Sequence, residues 1–177
     1  MFRIGIDADL PWGNAEKLRP RVDSLSKIIY GEETAETFRE FDYSPGGDLV
    51  FTREKNQNKN LGVYITGKNQ LTILSDGFGA TWSHEGDRIV FTGTQGLYIS
   101  DGDGKSVKKV IDLRNYYPVK DGAIVWDKWP PMAVWSPDSQ YLLYHRIDGE
   151  TYDIVKFELA TGREVVLYQG GMYPDWR

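Results

Sequence analysis

Histidines and cysteines are the first side chains to consider for catalysis or metal binding, and this sequence has few of them. It contains two histidines, His84 and His145, and no cysteine. A zinc site needs three or four nitrogen, sulfur or carboxylate ligands, so these two residues make one only if carboxylates substitute. His84 lies in a turn and His145 ends an apolar run, and we expect both to be structural. The sequence therefore predicts no metal site and no cofactor.

Acidic residues offer two further chemistries. Asp7 with Asp9, or Asp148 with Glu150, could be the paired carboxylates of a glycosidase or polysaccharide lyase, although acidic residues in turns are usually solvated. Residues 101–105 superficially resemble a calcium loop, but Lys105 stands where a ligand is needed and the later glutamate is missing. We expect a hairpin turn there. The sequence has no Gly-x-Ser-x-Gly nucleophile elbow and no phosphate-binding glycine loop. No catalytic residue is predicted, and a non-enzymatic protein is the favoured interpretation.

Aromatic residues in turn-rich segments are the candidates for binding a partner. Aromatic side chains that anchor in pockets dominate many interfaces. An alternative is that the segment carrying most of them packs its own aromatics as a plug. The candidates are Trp12, Tyr116, Tyr117, Trp126 and Trp129.

A repeated motif must position these residues. It reads DYSPGGDLVF from residue 42, TWSHEGDRIVF from residue 81 and VWSPDSQYLLY from residue 134. Proline presets the first corner of such a turn, aspartate caps the turn backbone and glycine adopts a positive φ. Each copy therefore predicts a strand, a tight turn and a second strand. The motif tryptophans Trp82, Trp135 and Trp176 are expected to pack between repeat units.

Each repeat unit predicts four short antiparallel strands, which is the composition of a propeller blade. An insertion, residues 114–131, separates the second unit from the third, and insertions in repeat folds usually form loops on one face. The predicted strands are residues 39–43, 49–53, 61–66 and 70–74 in the first unit, 79–82, 88–92, 96–100 and 107–111 in the second, and 132–135, 141–146, 152–159 and 164–168 in the third.

The two ends of the chain predict a further unit. Residues 172–176 match the opening strand of a repeat, and residues 2–6, 18–22 and 25–30 are strand candidates. The sequence thus predicts a single domain, residues 1–177, with units at 41–77, 78–131, 132–171, and 172–177 joined by 1–40. Such closure by both termini would give four blades and remove exposed sheet edges.

The Trp-Ser-Pro-Asp motif and the strands after it resemble the TolB-like (WD40-like) β-propeller repeats over residues 41–177. The resemblance implies an all-β propeller of four-stranded antiparallel blades. It implies little about activity, because related repeats occur in periplasmic partner-binding proteins, in the propellers of prolyl-oligopeptidase-like enzymes and in oligogalacturonate lyases. Those relatives usually have six or more blades, so a piece of a larger propeller, pairing with a second copy of itself, is the alternative to a closed monomeric ring.

Composition narrows the range of partners. The chain has 21 lysines and arginines against 26 acidic residues, a net charge of -5, and no basic run. Nucleic acid and anionic membranes are therefore poor partners. No apolar stretch approaches the roughly 20 residues that span a bilayer, and residues 1–7 lack the apolar segment of a signal peptide. The resemblance suggests a periplasmic or secreted protein, and otherwise the sequence fits a cytoplasmic one.

The function that the sequence favours is a non-catalytic propeller scaffold. Its loops and the mouth of its central channel would bind a protein or peptide, with Trp126 and Trp129 as aromatic anchors and a polar rim around them. Aromatic platforms also bind sugars, so carbohydrate binding stays open. A carbohydrate-active enzyme that uses loop carboxylates is the alternative of a different class.

Overall fold

The computed structural model describes residues 38–54, 61–67, 70–126 and 130–176. Within these ranges every regular element is a β-strand. The strands form three antiparallel sheets of four strands and one two-stranded hairpin. The predicted all-β fold of four-stranded antiparallel blades is therefore confirmed. The first 37 residues, expected to contribute to a further blade, lie outside the described residues. Residues 172–176, predicted as the opening strand of that blade, are described but form no strand.

The strands of each sheet follow one another in chain order, and their ends differ from the predicted ones by at most two residues. Blade 1 consists of β1 (Phe38–Tyr43), β2 (Leu49–Glu54), β3 (Leu61–Gly67) and β4 (Gln70–Asp76). Blade 2 consists of β5 (Phe78–Trp82), β6 (Arg88–Thr92), β7 (Gly96–Asp101) and β8 (Val107–Asp112). The hairpin, in the insertion, is β9 (Val119–Lys120) and β10 (Ala123–Ile124). Blade 3 consists of β11 (Val134–Trp135), β12 (Tyr141–Asp148), β13 (Thr151–Glu158) and β14 (Glu164–Gln169).

The core lies between the blades, because alternate residues of a strand face opposite sides of its sheet. Val50 of blade 1 belongs to one buried cluster with Ile89 and Phe91 of blade 2. Val90, the neighbour of Ile89 on the other face, belongs to a second cluster with Leu142 of blade 3. Strand β5 packs against both β1 and β11, so the first strands of the three blades are neighbours. Blade 2 thus uses both of its faces as interfaces to other blades.

The motif tryptophans of blades 2 and 3 pack between blades, as predicted. Trp82 is 6% exposed and Trp135 is 4% exposed. The indole Nε1 of Trp135 donates a hydrogen bond of 3.1 Å to the backbone oxygen of Thr81 in blade 2. The guanidinium of Arg88, also in blade 2, lies 5.0 Å from the centre of the Trp135 ring. The tryptophan therefore adds one polar and one cation–π contact to an apolar seam.

The motif serines hold the turns, and all three are buried. In blade 3 the Ser136 hydroxyl accepts a hydrogen bond of 2.9 Å from the backbone N–H of Tyr141 and donates one of 2.6 Å to Asp138 Oδ1. In blade 2 the Ser83 hydroxyl accepts from the N–H of Arg88 in the same way. In blade 1 the donor to Ser44 is the N–H of residue 48, one position earlier, because that turn is one residue shorter. The serine closes the turn locally, which explains its recurrence.

The turn of blade 3 departs from the predicted glycine. Gly47 and Gly86 adopt φ values of 81° and 71°, whereas the corresponding residue of blade 3 is Ser139 with φ 54°. Its hydroxyl accepts a hydrogen bond of 3.2 Å from the backbone N–H of His84, and its carbonyl accepts one of 2.9 Å from Arg88 Nη2. Serine therefore adopts a strained backbone conformation where it can bind the neighbouring blade.

The outermost strand of every blade contains a β-bulge at the same place. The pairing registers leave one extra residue on β4, on β8 and on β14. These bulge residues are Leu74, Val110 and Leu167. Leu74 and Val110 are partly buried and pack against the two inter-blade clusters. A bulge twists an edge strand locally, and in blades 1 and 2 its apolar side chain also packs toward the following blade, whereas Leu167 of blade 3 is 52% exposed.

Candidate functional site

The insertion between blades 2 and 3 is fastened to the loop between β6 and β7. The N–H of Leu113 donates to the carbonyl of Gln95 at 2.9 Å, and the N–H of Ile124 donates to the carbonyl of Thr94 at 2.7 Å. Between them, β9 and β10 form a hairpin whose two turn residues, Asp121 and Gly122, have φ values of 52° and 80°. An Asp-Gly pair with both φ values positive is typical of a type I′ hairpin turn. The insertion is therefore a fixed hairpin, where the sequence predicted only a loop.

Three aromatic rings next to this hairpin pack edge to face against one another. The rings of Tyr117 and Trp126 meet edge to face with centroids 5.0 Å apart, and Trp126 meets Phe78 of blade 2 in the same way at 6.0 Å. Tyr117 is 6% exposed and belongs to the core cluster between blades 2 and 3. The surface position expected for Tyr117 is therefore wrong, because blade 3 packs over it. Burial also raises the pKa of its hydroxyl above the ordinary value for tyrosine, so the group stays neutral.

Tyr116 covers a partly buried arginine of blade 3. The guanidinium carbon of Arg146 lies 4.3 Å from the centre of the Tyr116 ring. Arg146 Nη1 donates to Glu164 Oε2 at 2.6 Å, and the Tyr144 hydroxyl donates to Glu164 Oε1 at 2.9 Å. Burial lowers the pKa of Arg146, but Tyr144, Tyr116 and Glu164 outweigh this and raise it overall. The arginine therefore stays charged beneath the aromatic ring and links the insertion to blade 3.

The tip of the insertion presents apolar side chains to solvent. Val119 is 46% exposed and Val125 is 40% exposed, and Pro118 beside them is also exposed. The N–H of Val125 donates to the carbonyl of Pro118 at 2.8 Å, which holds the two ends of the hairpin together. Trp126, half-buried, follows Val125 directly. These residues form what we call the insertion tip: Pro118, Val119, Val125 and Trp126, with Tyr116 at its margin.

The predicted aromatic candidates divide into three groups. Tyr116 and Trp126 are half-buried at the insertion, and Tyr117 is buried beneath it. Trp12 and Trp129 lie outside the described residues. Sequence reasoning missed Val119, Val125 and Arg146. The Asp121-Gly122 pair between two short apolar segments was a signal for the hairpin, whereas nothing local marked Arg146.

The structure places the two histidines and two of the four candidate carboxylates, Asp148 and Glu150, in turns and strands. His84 is exposed in its turn, while His145 is fully buried, with the rings of Tyr152 and Tyr173 at 5.7 Å and 5.2 Å from its own. Asp148 and Glu150 are exposed at the turn between β12 and β13, and Asp7 and Asp9 lie outside the described residues. In the turn that resembles a calcium loop, Lys105 pairs with Asp103.

Neither a metal cluster nor a membrane-spanning helix occurs in the part of the chain that the structure describes. No group of three or more histidine and acidic side chains there is placed to hold a metal ion. No helix among those residues is long and apolar enough to cross a membrane.

Comparison with known proteins identifies the fold. No family model matches the sequence, and no curated protein matches it. Among solved structures, TolB from Acinetobacter baumannii superposes with a TM-score of 0.53 at 15% identity, over 75% of this chain and 32% of that one. A putative TolB from Agrobacterium tumefaciens gives 0.55 at 14% identity, over 80% and 53%. An oligogalacturonate lyase from Vibrio parahaemolyticus gives 0.56 at 16% identity, over 78% and 42%.

These similarities show a TolB-like β-propeller fold. This chain spans between about a third and about a half of the length of those proteins. At such low identities the likeness concerns the fold alone, and the predicted resemblance to TolB-like propellers is confirmed at that level.

Proposed function

We propose that this propeller is a non-catalytic scaffold that binds a protein or peptide through its loops, with the insertion tip as the main contact surface. The observation that carries the proposal is a fixed hairpin with an exposed apolar end. Val119 and Val125, at 46% and 40% exposure, leave much of their apolar surface in contact with solvent. A protein partner could bury them together with the flank of Trp126, and burial of apolar side chains is the main driving force of association.

The anchoring beneath the tip supports this proposal. The hydrogen bonds to Gln95 and Thr94 tie the insertion to blade 2, and the stacking on Arg146 ties it to blade 3. A surface fixed from two sides loses little conformational entropy when a partner binds. TolB and the oligogalacturonate lyase share this kind of fold, although their names differ. The fold therefore does not distinguish partner binding from catalysis in this chain, and only the residues of the site can.

Selection from a peptide display library on the immobilised protein tests the proposal. We expect selected peptides to lose affinity by at least about tenfold, or 1.4 kcal/mol, on Val119→Asp or Val125→Asp, because each substitution places a charge in an apolar contact. Val107→Asp is the matched control: Val107 is also 40% exposed, but it lies on the outer strand of blade 2. Peptides equally weakened by the control, or insensitive to both tip variants, would refute the proposed surface.

Two assays address the alternative functions with the same variants. Binding to a glycan array that depends on Val119 and Val125, without any peptide selected, would assign the tip to carbohydrate instead. Turnover of an acidic polysaccharide that is abolished by Asp148→Asn or Glu150→Gln would assign the protein to the enzyme class.

A further inference from the structure

A cluster of charged side chains lies at the end of blade 2 from which the insertion begins. Asp112, the last residue of β8, accepts two hydrogen bonds from Arg114, of 2.9 Å from Nε to Oδ1 and of 2.5 Å from Nη2 to Oδ2. Its Oδ2 also accepts one of 2.7 Å from Lys109 Nζ. We call Lys109, Asp112 and Arg114 the basic cluster, because its two cations share a single carboxylate.

Gln95 connects the basic cluster to the hairpin of the insertion. Its side-chain oxygen accepts a hydrogen bond of 2.9 Å from Lys109 Nζ, and its side-chain nitrogen donates one of 3.3 Å to the backbone oxygen of Gly122 in the hairpin turn. Its backbone carbonyl accepts the bond from the N–H of Leu113, just before the insertion. One side chain therefore joins the cluster and the hairpin into a continuous hydrogen-bonded surface.

The basic cluster has positive charge and donor groups left over. The hydrogen bonds from Arg114 and Lys109 lower the pKa of Asp112 well below its ordinary value, so the carboxylate is ionised. Two cations against one anion leave one net positive charge. The side chain of Arg114 is 42% exposed, and within the part of the chain that the structure describes its Nη1 makes no hydrogen bond. The cluster can therefore bind a further anion.

The surroundings of the basic cluster have the same sign. Lys108 on β8 and Lys120 in the hairpin are exposed, and Asp121 in the hairpin turn offsets one of them. The chain as a whole carries a net charge of -5, so this positive region is local and opposite in sign to the molecule around it. Charges of opposite sign across an interface steer association and select the partner.

We propose that the partner of the insertion tip is an acidic peptide, which places an aspartate or glutamate on Arg114 while its apolar residues cover Val119 and Val125. This inference rests on the proposed function, because it concerns the same surface. A guanidinium offers paired N–H donors that match a carboxylate in geometry, and Asp112 already fixes this one, so little side-chain entropy is lost on binding. The single net charge of the cluster balances one carboxylate, whereas a phosphate group carries nearly two negative charges.

Peptides selected on the immobilised protein test this inference with a further pair of variants. Peptides whose binding depends on Val119 should contain an acidic residue beside their apolar residues more often than the unselected library. Arg114→Gln should weaken their binding by about threefold at about 0.05 M salt, and by less at about 0.5 M salt, because exposed charge pairs are screened. Arg163→Gln is the matched control and should leave the affinity unchanged, since Arg163 is exposed but lies in the turn between β13 and β14.

Replacement of the acidic residue of the peptide by its amide separates a direct contact from a structural role of Arg114. In a direct contact, Arg114→Gln no longer weakens the amide peptide, whereas a structural role weakens both peptides equally and would overturn the inference. Tip-dependent peptides without acidic residues would also overturn it, while the proposed function would stand. An acidic polysaccharide that binds through Arg114, with no acidic peptide selected, would replace the peptide as the partner. Failure to select any peptide that depends on Val119 would refute both the inference and the proposed function.

Discussion

Replacement of Ser136 by alanine tests whether the motif serines hold the blades as the structure indicates. Ser136 is 2% exposed, and its hydroxyl accepts a hydrogen bond from the N–H of Tyr141. Its loss leaves that partly buried N–H without its acceptor, at a cost of about 1–3 kcal/mol. The bond that the hydroxyl donates to Asp138 contributes less, because Asp138 is exposed and water partly replaces the donor. We therefore expect Ser136→Ala to lower the free energy of unfolding by about 1–3 kcal/mol.

Equilibrium unfolding in urea, followed by tryptophan fluorescence, measures this change. Ser83→Ala should behave alike, because Ser83 makes the corresponding bond in blade 2. Ser106→Ala is the matched control, since Ser106 is exposed, and should stay within about 0.5 kcal/mol of the parent. In thermal unfolding each kcal/mol should shift Tm by about 2–4 °C for a chain of this length. The reasoning is refuted if Ser136→Ala and Ser106→Ala have the same effect.

Two further predictions concern the same turn and a glycine in blade 2. The Ser136 hydroxyl and the N–H of Gln140 lower the pKa of Asp138 below its ordinary value, so its stabilising contribution is complete above about pH 4–5 and is lost as the pH falls through the folded-state pKa. The drop in urea midpoint between pH 6 and pH 3 should therefore be smaller in Ser136→Ala than in the parent, and an equal drop contradicts this. Gly96→Ala should destabilise by more than about 3 kcal/mol, because its Cβ would lie 2.0 Å from the carbonyl oxygen of Ile111, while Gly46→Ala, with its nearest atom at 3.5 Å, should be nearly neutral in the same assay.

The strands and turns were predictable because their signals are local. Alternating apolar residues and a Ser-Pro-Asp type of turn act within about ten residues of the chain. The turn of blade 3 also forms as predicted, although Ser139 stands where the other two blades have glycine. Only the hydrogen bonds of Ser139 to blade 2 depend on a distant part of the chain. The β-bulges were not predictable in this way, because they depend on the register between two strands.

The candidate site was predictable only in part. The sequence located the insertion and its aromatic residues, but burial depends on what packs against a side chain. Tyr117 is buried because blade 3 covers it, and Arg146 takes part because its strand passes beneath Tyr116. These contacts join residues about 30 positions apart, and no local pattern encodes them.

The most direct test of the proposed binding surface is a hydrogen-exchange footprint of a selected peptide on the unmodified protein. The proposal predicts slower exchange at the amides of the insertion hairpin, residues 116–126, when the peptide is bound. It also predicts no change on the outer strand of blade 2 around Val107. Protection confined to other surfaces, with the hairpin unchanged, would contradict the account.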